Sequence, residues 1–211
     1  MLGRIHTYQD FLETYVLARK AGFGNINVDL ISAVPGQTEK AWEKTLRTVA
    51  ELGPEHISAY SLIIEEGTPF FEHYGESGKR AEGDGPAWPP LPDEDEDRAI
   101  YEATAVLLQK YGYHRYEISN YAKDGYECRH NLGYWERKEY LGLGLGASSL
   151  IRECRFHNTA DMEKYLSAFS GREQDISEAC CEKIREEKES LTVEDQMAEF
   201  MFLGLRKMRG V

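Results

Sequence analysis

The sequence predicts an α/β fold, a sheet of parallel strands covered by helices, and three observations carry that prediction. Residues 25–34, NINVDLISAV, form a β-branched, almost unbroken apolar run of the kind found in strands covered on both faces. On either side, apolar residues recur at helical spacing between capping residues. Strands separated by helices of this length cannot close as hairpins, so they are expected to lie parallel, as in an α/β barrel or a doubly wound sheet. Binding residues would then gather at the C-terminal strand ends.

The elements follow in order. From Thr7 to Ala21 the residues Phe11, Leu12, Tyr15 and Ala18 mark a helix, and Gly22 stands where a left-handed cap belongs. The strand NINVDLISAV ends at Pro35 and Gly36. Thr38 caps a second helix carrying Trp42, Leu46 and Val49 on one face and closed by Gly53 and Pro54, after which HISAYSLII reads as a strand. Residues 75–92, GESGKRAEGDGPAWPPLP, read as an exposed loop. Asp93 caps a third helix with Ile100, Thr104, Leu107 and Tyr111, followed by the strand YHRYEIS at 113–119. Beyond Tyr140 the pattern changes to short Gly-rich apolar segments and a helix with Met162, Tyr165, Leu166 and Phe169. The polar residues 171–191 read as a linker or a solvated helix. Thr192 opens a last helix carrying Met197, Phe200, Met201 and Leu205. The expected organisation is 1–170 as the main body, 171–191 as linker, and 192–211 as the start of a helical domain.

With 211 residues, 41% of them hydrophobic, the chain can bury the core of one large domain or of a domain with a small appendage. A net charge of -12 argues against nucleic acid as partner, since phosphate binding needs Lys and Arg in excess. No apolar run approaches the roughly 18 to 20 residues of a membrane span, and MLGRIHTYQD lacks the apolar core of a signal peptide, so a cytoplasmic location is the default. Cys128, Cys154, Cys180 and Cys181 show no disulfide-framework spacing and are expected as thiols.

Asp29 lies in the most apolar strand, where an unpaired carboxylate costs several kcal/mol, so it needs a cation, hydrogen-bond donors or a ligand; an ordinary ion pair would serve equally. His130, in ECRHNLGYW beside Asn131, Tyr134 and Trp135, could ligate heme iron or stack near a flat macrocycle, and equally could be a hydrogen-bonded histidine under aromatics. Cys128 and His130 are too few for a closed zinc site. Gly142, Gly144 and Gly146 lack the βαβ context of a dinucleotide fingerprint and read as close backbone approach. Glu65, Glu66 and Glu117 place carboxylates near strand ends, while His56, His73 and His114 read as surface or loop residues.

Five segments together resemble the family of oxygen-independent coproporphyrinogen oxidases and their relatives, the HemW heme chaperones. They are LGRIH (2–6), GFGNINVDLISAVPGQT (22–38), HISAYSLIIEEGTPF (56–70), GYHRYEISNYAKDGYECRHNLGYW (112–135) and YLGLGLGAS (140–148). The tail TVEDQMAEFMFLGLR resembles the start of the family's C-terminal helical region. HNLGYW resembles the HNxxYW signature of the heme-chaperone branch. The resemblance therefore implies heme binding at His130, with Asn131, Tyr134 and Trp135 around it, and transfer to heme-acceptor proteins.

The same resemblance implies the second half of a radical S-adenosylmethionine (SAM) partial barrel, followed by a small Gly-rich β segment and the start of a helical domain. It carries SAM contacts over to Arg4 and Asp29 and, by alignment, to Ile63 and Ser148. The family's CxxxCxxC, which holds a 4Fe-4S cluster, lies upstream of LGRIH, and none of the four cysteines reproduces it. The expectation is a fragment whose full-length form carries the cluster, and which alone neither binds it nor cleaves SAM. Two other readings stand beside heme transfer: an oxidative decarboxylase acting on coproporphyrinogen III, and an α/β interaction module whose ancestral chemistry is lost.

Overall fold

Thr7 and Asp10 close a capping box at the start of helix α1 (Tyr8–Lys20): the Thr7 hydroxyl accepts from Asp10 N–H at 3.2 Å, and Thr7 N–H donates to the Asp10 carboxylate at 2.7 Å. Each reciprocal bond satisfies an amide that the first helical turn leaves without a partner. The structure, a computed structural model, describes residues 5–75, 88–169 and 178–211. The chain divides into two units, Met1–Glu127 and Cys128–Val211.

In the first unit α1 is followed by β1 (Asn27–Ser32), α2 (Glu39–Leu52), β2 (His56–Ser61), α3 (Pro69–Tyr74), α4 (Glu94–Lys110), β3 (His114–Arg115) and β4 (Asn120–Ala122). Thr38 caps α2 through its hydroxyl, Asp93 and Glu96 form the capping box of α4, and Gly53 takes the left-handed conformation that ends α2, at φ 72°. The sheet order is β1-β2-β4-β3. β1 and β2 pair in parallel from Asn27↔His56 to Ser32↔Ser61, as expected of strands joined by a helix.

The third strand departs from expectation. Residues 113–119 do not enter as one parallel strand; β3 and β4 form an antiparallel hairpin, and β4 is the strand that pairs with β2, antiparallel. The turn between them is held by Ser119 N–H donating to the buried Glu117 carboxylate at 2.9 Å. A connection this short permits only antiparallel pairing. Much of the loop expected at 75–92 lies outside the described residues; its leading edge is Gly75, which follows the unforeseen short helix α3.

One face of this sheet is apolar. Val28, Ile57 and Tyr121 pack against Trp42, Leu46 and Val49 of α2 and Ile100, Leu107 and Leu108 of α4. Each fully buried large side chain contributes roughly 1.5–3 kcal/mol. Three polar groups of this core are paired: Trp42 Nε1 donates to Thr104 Oγ1 at 2.8 Å, Tyr113 OH to Pro54 O at 2.6 Å, and Tyr15 OH to Leu52 O at 2.9 Å.

The second unit holds α5 (Arg129–Trp135), β5 (Ser148–Ile151), β6 (Cys154–Asn158), α6 (Met162–Ala168), α7 (Glu178–Ile184), β7 (Arg185–Ser190) and α8 (Val193–Gly204). β5, β6 and β7 form an antiparallel sheet in that order. α7 and β7 fall within the polar stretch 171–191 read from the sequence as a linker or a solvated helix. The charges of β7 are compatible with a strand because Glu187–Ser190 are exposed while Ile184 and Leu191, at its ends, are buried. The Gly-rich segment lies against β5 as close approach requires: a Cβ on Gly142 would stand 2.3 Å from Ser148 O. Asn158 Nδ2 donates to the carbonyls of Gly142 and Gly144, at 3.2 and 2.9 Å, and secures the loop.

In α8 the buried Glu199 pairs with Arg137 and Arg155. Met197, Phe200, Met201 and Leu205, placed by the sequence on one helix face, are all exposed. Among the described residues no helix is long and apolar enough to cross a membrane.

Candidate functional site

Strand alternation gives the first unit's sheet a second, polar face. The register sets Asp29 beside Ser58 and Ser58 beside Asn120 in one row, with Asn27 beside His56 in the next. Asp29 is not the buried acid that its apolar strand implied. It is exposed, because β1 is covered only on its Val28 and Leu30 side and stands at the sheet edge. It also borders a cleft of about 550 Å³ at that edge, between His6, Tyr8 and Phe11 on one side and Lys44 and Thr48 on the other.

The hydrogen bonds around Asp29 fix one another's direction. A carboxylate only accepts, so the Asn27 amide donates to it through Nδ2, at 2.6 Å. Asn27 Oδ1 then accepts from Ser58 Oγ at 3.2 Å and faces His56 Nδ1 at 2.7 Å, which must carry the proton. The other ring nitrogen, Nε2, is left to accept from Tyr116 OH, also at 2.7 Å. The donation thus runs from Tyr116 to His56 to Asn27 and ends on Asp29, which accepts. His56, expected at the surface, is 5% exposed. Burial pushes its imidazole below the ordinary value, against the opposing pull of Asp29, Glu117 and Glu127. The chain has therefore built a neutral histidine behind its exposed carboxylate.

Ile63 is 77% exposed just past β2, and Glu65 and Glu66 are exposed beside it. Ser148 is exposed at the start of β5, in the second unit. Arg4 lies outside the described residues. His73 packs at 4.7 Å from both Tyr74 and Trp88, and His114 meets Asp124 and Glu127 at 3.2 and 2.9 Å.

In the second unit α5 carries the four residues of the histidine motif. His130 is exposed, and its ring meets Tyr134 edge-on, with centroids 4.7 Å apart; Tyr134 meets Tyr140 in the same way at 4.7 Å. The spacing of four residues puts His130 and Tyr134 on one side of the helix. Asn131 is half-buried. Trp135, five residues on, is turned away by about 140° and lies under the Arg206 guanidinium, whose carbon is 4.3 Å from the ring centroid.

None of the four cysteines forms a disulfide, and each is half-buried. Among the described residues no three His, Cys, Asp or Glu converge as metal ligands, so these side chains do not fit a 4Fe-4S cluster, which takes thiolates at close spacing.

His56, Tyr116, Asn120 and Arg206 escaped the sequence reading. His56 had a signal: Asn27, Asp29, His56 and Ser58 repeat a polar residue at every second position of two strands. Arg206 had none, because its contact with Trp135 joins segments far apart in the chain.

No family model matches the chain. It is 37% identical over 210 residues to a protein of Lactococcus lactis named heme chaperone HemW, and 35% identical over 210 residues to the Bacillus subtilis protein of that name, covering all of this chain and half of each relative. The Escherichia coli heme chaperone HemW is 40% identical over 150 residues, 71% of this chain and 36% of that one. The chain thus spans about half the length of the relatives it matches. In fold it resembles coproporphyrinogen III oxidase of Escherichia coli, a radical SAM enzyme, with a TM-score of 0.67 and 20% identity over 97% of this chain and 45% of that one.

Proposed function

The chain belongs to the family of HemW heme chaperones and their radical SAM relatives, the coproporphyrinogen-oxidase-like proteins, and from that premise we propose that it binds heme through His130 and passes it to acceptor proteins. The observation that carries this reading is an exposed imidazole, edge-on to Tyr134, on the helix that bears the histidine motif. A neutral imidazole is a common axial ligand of heme iron. One that stands in solvent, flanked by ring edges, suits a carrier that must also release its cargo to another protein.

The first unit supplies a polar site, for which SAM is the proposed ligand. Asp29 would accept from donor groups of the ligand, with Asn27 and His56 holding the carboxylate in place; Ile63 and Arg4 are further contacts on the strength of the family resemblance. SAM bound to a cluster supplies radical chemistry, but the described cysteines do not fit that cluster. The cytoplasm is the compartment this reading assumes.

Titrating hemin into the chain and into His130→Ala tests the proposal. The parent chain should give a shifted Soret band and saturable binding, and the variant a different spectrum and at least tenfold weaker affinity. Identical spectra and affinities in the two would remove His130 from the site.

A further inference from the structure

Helix α5 has little of its own to fix it. It is seven residues long, carries Gly133 in its interior and buries no residue, and Cys128 at its N-cap makes no side-chain capping hydrogen bond. Helices that short are unstable in isolation, so contacts with neighbouring segments decide where its side chains stand. On the side of His130, about 40° round the helix from it, is Tyr134. Its ring meets the imidazole edge-on, with centroids 4.7 Å apart and planes at 80°. Tyr134 in turn meets Tyr140 at 4.7 Å and 86°. The three rings form a ladder that leads from the exposed histidine to a residue outside the helix.

Tyr140 anchors that ladder. Its N–H donates to Leu150 O at 3.0 Å and its carbonyl accepts from Leu150 N–H at 2.9 Å, an antiparallel bridge onto β5. Leu150 is buried, and the carboxylate of the adjoining Glu139 accepts from Arg152 N–H at 2.6 Å. The backbone that carries the Tyr140 ring is therefore tied to the sheet. Aromatic rings at this separation attract beyond the area they bury, and they favour edge against face, so each ring restricts the plane of the next. We propose that Tyr140 is a positioning residue: acting through Tyr134, it sets the plane of the His130 imidazole. That the imidazole so held ligates heme iron rests on the preceding reading. A ligand side chain ordered in advance loses less rotamer freedom on binding, and a fixed plane presents the same orbital of the nitrogen to the metal each time.

The experiment reads the full chain with and without hemin. In the ligand-free chain, nuclear magnetic resonance of labelled histidines gives the His130 ring signal, assigned by its loss in His130→Ala. The Tyr134 ring current should displace that signal from the position of an unstructured histidine. Tyr140→Leu should return it most of the way, and Tyr140→Phe, which keeps the ring, should leave it in place. Tyr140→Ile, whose branched side chain suits the bridge's extended backbone, repeats the comparison if Tyr140→Leu does not fold. With ferric hemin, Tyr140→Leu should bind about fivefold more weakly, the worth of one aromatic pair. Its electron paramagnetic resonance g values should also spread as the imidazole takes a range of planes, and Tyr140→Phe should restore both. In a Tyr134→Leu background Tyr140→Leu should change neither the signal nor the affinity further, because both residues act through one contact. An unmoved His130 signal in Tyr140→Leu, a Tyr140→Phe as impaired as Tyr140→Leu, or an added effect in the Tyr134→Leu background overturns the positioning role. A parent chain that binds no hemin overturns the heme reading instead, and the ligand-free signal still decides whether Tyr140 orients His130.

Discussion

Asn27 donates to Asp29 at 2.6 Å across one face of β1, and this bond orients every contact behind it. Because Asn27 turns its amide nitrogen to the carboxylate, its oxygen faces His56, whose Nδ1 therefore carries a proton.

The neutral His56 gives stability a pH dependence. Burial lowers its folded-state value below the 6.5 of the free group. As pH falls through 6.5 the unfolded chain takes up this proton before the folded chain does, so unfolding gains and stability drops; above that window the contribution is constant. Urea midpoints at pH 7.5 and pH 5 should therefore fall further for the parent than for His56→Gln. Equal falls would show that the imidazole is not held neutral.

Thr104 tests the packing of α2 on α4. Its hydroxyl accepts the buried Trp42 indole hydrogen and donates to Ile100 O at 2.7 Å. Thr104→Val keeps the shape and strands the indole donor, at a cost of about 1–3 kcal/mol in chemical denaturation. A neutral outcome would mean that another acceptor takes over.

Glu199 joins α8 to the rest of the second unit. Burial alone would raise its carboxyl, but the guanidinium groups of Arg155 and Arg137 outweigh it and hold the group below the usual carboxylate range. Its stabilising contribution is present above the ordinary 4.5 and is lost as pH falls through the lower folded value. Glu199→Gln leaves Arg137, itself largely buried, without that charge and should cost about 3 kcal/mol at neutral pH. The deficit should shrink toward the acid limit. A deficit independent of pH would assign the loss to packing.

Gly142 and Gly133 separate two kinds of glycine. Alanine at 142 drives a methyl into the Ser148 carbonyl and should cost about 1–3 kcal/mol, whereas alanine at 133, inside α5 with 4.0 Å to its nearest neighbour, should stabilise by roughly 0.5–1 kcal/mol. Thermal midpoints should move in opposite directions; parallel shifts would contradict the close approach at Gly142.

The elements of the first unit were legible because their signals are local. Thr38 and Asp93 cap the helices they were expected to cap, α1 runs where its helical spacing put it, and β1 and β2 are parallel as their connecting helix requires. The β3–β4 hairpin was not, since residues 113–119, read as one strand, contain both a short strand and the turn that reverses it. Asp29 was misjudged for a related reason: the apolar run proved that one face of β1 is covered and said nothing of the other. β7 was hidden by charge, because an edge strand with solvent on its outer side needs few apolar residues. The motif around His130 was readable as residues, but the side of α5 on which each residue stands required the helix.

Pulsed electron paramagnetic resonance of the ferric hemin complex, with the chain's histidine nitrogens isotopically labelled, tests heme ligation most directly. An imidazole nitrogen coupled to the iron should appear in the parent chain and vanish in His130→Ala while the other histidines remain. The same coupling in both proteins, or in neither, would contradict the assignment of His130 as the heme ligand.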